Sequence, residues 1–146
     1  MKPGVAVLLT ACAGGLVAMQ APINSALGKA AGTFAAASIS FIIGTTALVS
    51  ITLLSGAKVD LGAAGDLRWY YLTGGLLGAA YVTTVLVSVR TLGAGGVTAA
   101  TIAGQLSFSV VLDRLGVLGL DEKPLSPGRI IGVALLATGV FLIVRE

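Results

Sequence analysis

The chain has 146 residues, of which 56% are hydrophobic and only 10% are charged, and its formal net charge is +3. Such an apolar composition indicates that most of the chain lies in lipid rather than in water. It has no histidine and one cysteine, which excludes an intramolecular disulfide and a His/Cys metal site, so no cofactor is expected. The basic residues lie between apolar runs rather than in a stripe, so a nucleic-acid partner is not expected.

Five apolar runs predict five membrane-spanning helices. A span needs about 20 mostly apolar residues, and backbone groups in lipid must be satisfied within the segment. We therefore predict an all-α integral membrane protein, a five-helix transmembrane bundle that forms a single domain over residues 1–146. A β-barrel would need alternating polar and apolar residues, which the second run lacks. The predicted spans are approximately residues 4–27, 33–55, 69–90, 97–118 and 128–144.

The first predicted span contains Pro22, which removes one helical hydrogen bond and is expected to kink the helix. Gln20 and Asn24 flank this proline at i,i+4 spacing, so the two amide side chains share a face. The single cysteine, Cys12, ends a short sequence that resembles a lipoprotein cleavage box, but the chain stays apolar beyond it. We interpret Cys12 as a small, buried packing residue.

The later spans carry signals at their boundaries. Aromatic residues at positions 69–71 open the third span, where an aromatic belt at the lipid–water boundary is expected. The stretch at positions 93–96 predicts a tight connection between the third and fourth spans. Ser126 followed by Pro127 predicts the N-cap and the first position of the fifth helix.

An odd number of spans places the two termini on opposite faces of the membrane. The excess of basic residues on the N-terminal side predicts a cytoplasmic N-terminus. The bias is weak enough that insertion of some copies in the opposite orientation stays open. The N-terminal side carries Lys2, Lys58, Arg68, Arg114, Lys123 and Arg129, and the other side carries Lys29, Arg90 and Arg145.

The fourth span has the densest polar content, with residues at steps of three and four along one side of the helix. A glutamine deep in a membrane needs a partner or water. One interpretation is hydrogen bonding between helices, and the other is the wall of a substrate path; the sequence leaves both open. The stripe consists of Thr98, Thr101, Gln105, Ser109 and Asp113.

Asp113 is the one acidic residue that the pattern can place within a span. If the fourth helix continues to Leu120, the carboxylate lies about 10 Å inside the helix end, where it could couple transport to protons. If the helix ends at Leu112, Asp113 is an ordinary interfacial charge. Arg114 does not face it, because adjacent helical residues point apart.

The third span carries a weaker polar stripe of Tyr81, Thr84 and Ser88. Hydroxyl groups in helices commonly bond to the carbonyl one turn earlier, and this interpretation is favoured for Thr84 and Ser88. The spans contain no nucleotide-binding loop, catalytic triad or paired carboxylates. The sequence therefore offers no support for an enzyme.

Two pairs of glycines predict close helix packing, because small residues let helix backbones approach in lipid. Gly74 and Gly78 form a GxxxG motif in the third span, for which packing within one bundle is favoured. Gly132 and Gly139 lie seven residues apart on one face of the fifth helix. For this pair, packing within the bundle and contact between subunits are equally supported.

Three groups of residues, Gln20–Asn24, Trp69 with Gly74, Gly75 and Gly78, and Gly104–Gln105, together resemble the YdcZ-like family of five-helix bacterial inner-membrane exporters, in the drug/metabolite transporter superfamily. More distantly, the last helix resembles EamA-type half-repeats and the dimer-forming helix of small multidrug resistance proteins. The resemblance covers essentially the whole chain. The YdcZ-like resemblance is also carried by Leu27, Leu92–Gly93, Asp113 and Gly116, and the resemblance of the last helix is carried by Gly132–Val140.

One departure limits what the resemblance implies. Small multidrug transporters carry a glutamate in the first helix that binds cation and proton in turn, whereas this first helix has only Gln20 and Asn24 near its end. A drug-cation/proton antiport mechanism is therefore not carried over.

The sequence and the resemblance together predict a secondary transporter in the bacterial inner membrane that exports a small molecule or metabolite. Many transporters consist of two oppositely oriented repeats with the site between them, so a single unit is expected to pair with a second copy, or with a paralogous partner of opposite orientation. Alternatives left open are a dual-topology ion channel and a non-transporting subunit of a larger complex. The expected substrate path is lined by Gln20, Asn24, Tyr81, Thr101, Gln105 and Ser109, with Asp113 as a coupling residue.

Overall fold

The computed structural model describes residues 2–60, 62, 65 and 67–145. Within these residues the chain is helical and contains four long apolar α-helices. A short 3-10 helix, Trp69–Thr73, leads directly into the third of them. The α-helices are α1 (Pro3–Ala31), α2 (Thr33–Leu54), α3 (Gly74–Leu115) and α4 (Pro127–Arg145).

This architecture confirms the predicted all-helical membrane class, but it gives four helices of spanning length in the described residues rather than five. The reason lies at Gly93, where the predicted third and fourth spans join. Gly93 has φ 68° and ψ 172°, which is not helical, so α3 consists of two helical stretches that meet at a kink at Gly93. The connection expected over positions 93–96 is thus reduced to one residue with non-helical dihedral angles.

The chain forms two compact units, Met1–Arg90 and Thr91–Glu146. In the first unit, α1 and α2 form an antiparallel hairpin that turns at Gly32, whose φ is 91°. The pairing is visible in two contacts: Ser40 bonds Asn24, and a Cβ placed on Gly28 would lie 3.7 Å from the Cβ of Ala36. Residues 74–90 run antiparallel to α2, because Phe41 covers Gly78 and Thr33 contacts Arg90.

The core of the first unit lies where these three segments meet. It consists of four buried apolar residues, of which Leu86 is 0% exposed. Small side chains on α2 allow α1 to approach closely, which in lipid is the main source of helix association. The four are Ala36, Ala37, Val82 and Leu86, with Leu27 and Tyr81 packed against them.

The second unit is an antiparallel helical pair made of residues 91–115 and α4. Near one end of the pair, a Cβ on Gly96 would lie 3.7 Å from Cγ2 of Val144. At the other end Asp113 pairs with Arg129. The hydroxyl oxygen of Ser126 accepts the N–H of Arg129 at 3.3 Å, which confirms the predicted N-cap of the last helix.

Most large apolar side chains of all four helices are exposed on the surface of the chain. Exposure on this scale would be unstable in water but is expected where lipid covers the helices. Cys12 is among the exposed residues, so its interpretation as a buried packing residue was wrong. The core forms around the second half of α1, and residues near Cys12 present their side chains outward.

Gly28 sets the distance between α1 and residues 74–90, and replacing it by leucine tests this. A Cβ at this position would lie 2.7 Å from Cδ2 of Leu86 and 3.0 Å from Nη2 of Arg90. We expect Gly28→Leu to destabilise the protein by about 1–3 kcal/mol, as overpacking does. Thermal unfolding in detergent measures the change.

The matched control is Gly14→Leu on the same helix, where no neighbouring atom lies within 4 Å of an added Cβ. The control should unfold close to the wild-type temperature. Because leucine forms helices better than glycine does, propensity favours both variants, and equal losses in the two would show that the contact with Leu86 does not determine the result.

Candidate functional site

A polar pair lies in the seam between α1 and α2. Asn24 is 5% exposed, and its Oδ1 accepts the hydroxyl of Ser40 at 2.5 Å. The residue next to Asn24 along the chain, Ser25, is also buried. A buried polar group costs free energy unless it is hydrogen-bonded, and this cost is high in a membrane protein. The pair therefore stabilises the hairpin and also places amide and hydroxyl chemistry inside an otherwise apolar seam.

The bond to Ser40 uses the amide oxygen of Asn24 and leaves its amide nitrogen able to donate. Among the described residues, the Asn24 side chain makes one hydrogen bond, in which its oxygen accepts from the hydroxyl of Ser40. An asparagine amide carries two N–H donors. The seam could therefore offer donors to a carbonyl or carboxylate oxygen of a ligand.

Gln20 and Tyr81 are the other predicted path residues of the first unit. Gln20 is exposed, and it borders a shallow open depression on the surface of α1 together with Leu16, Val17, Met19 and Ile23. Tyr81 is half-buried and packs against the apolar core. Of the three predicted residues in this unit, Asn24 alone is enclosed by the fold.

The second unit holds the remaining predicted path residues on residues 94–115. Thr101 is half-buried, whereas Gln105 and Ser109 are exposed on the chain surface. The hydroxyl of Ser109 donates to the carbonyl of Leu106 at 3.0 Å, a local bond within its own helix. Thr84 in the third predicted span similarly donates to Ala80 at 2.9 Å, which confirms the interpretation favoured for it.

Asp113 lies two residues before the end of α3 and is half-buried. Its Oδ2 lies 3.1 Å from Nη1 of Arg129, an ion pair whose geometry is not that of an aligned hydrogen bond. The helix therefore ends between the two limits considered from the sequence, Leu112 and Leu120. As predicted, Arg114 does not face Asp113 and instead pairs with Glu122.

The Asp113–Arg129 ion pair offsets two unfavourable interactions between charges and helix dipoles. Asp113 occupies the negative C-terminal end of α3, and Arg129 occupies the positive N-terminal end of α4, so each charge is unfavourable on its own helix. Pairing the two charges offsets both penalties. The connecting loop is fixed as well, because the N–H of Lys123 donates to the carbonyl of Asp113 at 2.8 Å.

The four glycines predicted to pack helices differ in their surroundings. A Cβ on Gly78 would lie 3.4 Å from Cζ of Phe41, so Gly78 packs within the first unit. No atom of the described residues lies within 4 Å of a Cβ placed on Gly74, Gly132 or Gly139. These three positions leave open surface in the single chain.

Sequence reasoning missed Ser40 and Arg129 as partners of predicted residues. Ser40 follows Ala36 at i,i+4 spacing, so it continues the small-residue face of α2, and this pattern could have indicated it. Arg129 falls in the first turn of a helix, where a cation is unfavourable, and this position could have indicated an acidic partner. No group of three or more metal-ligating side chains occurs among the described residues.

The helices and their lipid-exposed surfaces define the class of this chain as a multi-pass membrane protein. The family described as "Putative inner membrane exporter, YdcZ" matches residues 5–142, and the chain belongs to this family. It is 29% identical over 106 residues to the inner membrane protein YdcZ of Escherichia coli (strain K12), covering 72% of this chain and 70% of that protein. No solved structure matches the chain. These findings confirm the resemblance noted from the sequence, and they place the chain in the inner membrane.

The Asn24–Ser40 bond can be measured by a double-mutant cycle with Asn24→Leu and Ser40→Ala. We expect a coupling free energy of about 0.6 kcal/mol, and at most about 1.7 kcal/mol, the range found for hydrogen bonds between membrane helices. Unfolding in detergent by a denaturant measures it. Ser50→Ala is the control, because its hydroxyl bonds the carbonyl of Thr46 in its own helix. A coupling of zero would mean that the two side chains do not bond in the membrane protein.

The Asp113–Arg129 pair gives an unusual prediction for stability. Asp113→Asn alone should cost less than about 1 kcal/mol, because the side chains are 25% and 31% exposed and the pair is partly screened. Exchanging the two residues, Asp113→Arg with Arg129→Asp, keeps the pair and makes both helix dipoles favourable. We expect the exchanged protein to unfold at the wild-type temperature or above it. A loss larger than that of Asp113→Asn would contradict the dipole argument.

Proposed function

We propose that the chain is one half of a secondary transporter that exports a small molecule or metabolite across the inner membrane. In this proposal it works as an antiparallel dimer by alternating access. The observation that carries the proposal is the family match to inner-membrane exporters over residues 5–142. The polar seam at Asn24 and the polar face of residues 98–113 supply the chemistry for a substrate path.

Five membrane crossings are part of the proposal. The segment Trp69–Leu115 has 47 residues. At about 1.5 Å per residue such a helix would be about 70 Å long, more than twice the roughly 30 Å hydrocarbon core of a bilayer. The non-helical dihedral angles at Gly93 supply a point at which the chain could reverse. We therefore infer that residues 69–92 and 94–115 cross separately.

An odd number of crossings supports an inverted dimer. Transporters commonly combine two repeats of opposite orientation, with the site at their interface. A five-crossing unit could supply both repeats by inserting in both orientations. The open surface at Gly132 and Gly139 is consistent with close approach of a second copy.

The proposed path is lined by amide and hydroxyl groups. Its donors and acceptors suit a polar, uncharged or partly charged small molecule rather than an apolar one. Asp113 is the proposed coupling group, and its pairing with Arg129 offers a contact that a transport cycle could break. The proposed residues are Gln20, Asn24, Tyr81, Thr101, Gln105 and Ser109.

Two other functions differ in measurable ways. A dual-topology ion channel would have a pore lined by the same polar groups but would pass ions far faster than a rocking carrier turns over. A non-transporting membrane subunit would co-purify with a partner and show no flux alone.

The orientation of the C-terminus tests the inverted dimer first. Paired reporters, one active only in the cytoplasm and one only outside it, should both give signal when fused to the C-terminus. Adding two lysines to the loop after α2 should shift the ratio of the two signals, because basic residues set orientation. Signal from a single reporter in both proteins would rule out the antiparallel homodimer.

Transport itself can be tested in proteoliposomes loaded with the labelled small-molecule extract of growing cells. Wild-type protein should release a subset of compounds at a saturable rate, and Asn24→Ala or Gln105→Ala should lower that rate about tenfold or more, as loss of a polar contact to substrate does. Ser50→Ala is the control outside the proposed path. Unchanged release by both path variants would place the site elsewhere.

A further inference from the structure

An arginine lies at the end of the first unit where α1 ends and α2 begins. Nη2 of Arg90 is 3.4 Å from Oγ1 of Thr33, a long hydrogen bond. The same guanidinium nitrogen would lie 3.0 Å from a Cβ placed on Gly28, so the absence of a side chain there makes room for it. Lys29 follows Gly28 in the last turn of α1 and is exposed at the same end.

The positive charge of Arg90 is not balanced within the helices around it. A guanidinium has five N–H donors, and the Thr33 hydroxyl is the one side-chain acceptor that contacts it among the described residues. Neither ion pair in the described part of the chain involves Arg90. The segments 3–31, 33–54 and 69–90 contain no aspartate or glutamate at all.

If residues 69–92 cross the membrane separately, as proposed above, Arg90 lies near the end of a membrane helix, where a charge needs an opposite charge or water. A guanidinium also matches phosphate geometry, because two parallel N–H groups can bind two oxygens at once. We propose that Arg90, together with Thr33 and Lys29, binds a phosphate group at this end of the first unit. The phosphate belongs either to the headgroup of an anionic phospholipid or to a soluble phosphate ester. This site is separate from the proposed substrate path and does not depend on transport.

The three residues of the proposed phosphate site have different roles. Arg90 supplies the paired donors, and the Thr33 hydroxyl, which accepts from Arg90, can donate its own hydrogen to a phosphate oxygen. Lys29 adds a second positive charge without fixed geometry. An arginine that only extends into water at the membrane surface would not need the contact with Thr33 or the space above Gly28. A lysine could then replace it without any loss of phosphate binding.

The test uses purified protein in a neutral detergent and follows thermal unfolding as phosphatidylglycerol or phosphatidylcholine is added. Wild-type protein should bind phosphatidylglycerol more tightly than phosphatidylcholine. Arg90→Gln should weaken binding of phosphatidylglycerol by about tenfold or more, as expected for loss of charged hydrogen bonds. Arg90→Lys should recover part of the affinity, and Thr33→Val should weaken it to a smaller degree.

The matched control is Arg145→Gln, which removes the same charge from the end of α4, where the guanidinium lies 5.9 Å from the ring centroid of Phe141. Its preference for phosphatidylglycerol should equal that of the wild type. If Arg90→Gln unfolds too easily, the Arg90→Lys and Thr33→Val titrations measure the same site in proteins that keep the charge.

A second series replaces lipid by inorganic phosphate or glycerol phosphate in the same detergent. Stabilisation by phosphatidylglycerol alone assigns the site to a lipid headgroup, and stabilisation by the soluble phosphates as well, lost in Arg90→Gln, assigns it to a soluble ester. Either result supports the site. Equal binding of the two lipids by the wild type, or unchanged preference in Arg90→Gln and Arg90→Lys, would overturn it.

Discussion

The close approach of α1 and residues 74–90 at Gly28 is the contact on which the first unit depends. In lipid there is no water to drive apolar surfaces together, so helices associate through close packing and hydrogen bonds. Gly28 lets Leu86 reach complete burial and lets the Arg90 guanidinium lie against α1. One missing side chain therefore positions an apolar core residue and, one turn further along residues 74–90, a positively charged one.

The region where α1, α2 and residues 74–90 meet has layers of different chemistry along its length. Arg90 and Thr33 lie near the turn between α1 and α2, Leu86 and Ala36 fill the next layer, and the Asn24–Ser40 pair follows. Apolar packing separates the charged end from the buried amide. In our two proposals these polar groups bind different ligands, a phosphate at Arg90 and a transported molecule near Asn24.

The second unit is held by charges as well as by packing. Asp113 and Arg129 each lie at the unfavourable end of a helix dipole, and their pairing brings the end of α3 to the start of α4. The backbone bond from Lys123 to Asp113 fixes the loop between them. If the proposed transport cycle separates these two helix ends, it breaks this ion pair.

Composition and hydropathy by themselves determined the helical membrane class, because a backbone in lipid has few other ways to satisfy its hydrogen bonds. Short motifs from Gln20 to Val140 identified the family, and Ser126 with Pro127 marked the start of the last helix. Only the tertiary structure decided which residues of different helices contact each other. It pairs Asn24 with Ser40 and Asp113 with Arg129, and it leaves Cys12 exposed. Hydropathy is averaged over a whole membrane span, so it does not specify which face of a helix contacts a neighbouring helix. That choice depends on contacts between residues far apart in the chain, and sequence spacing within one helix cannot encode them.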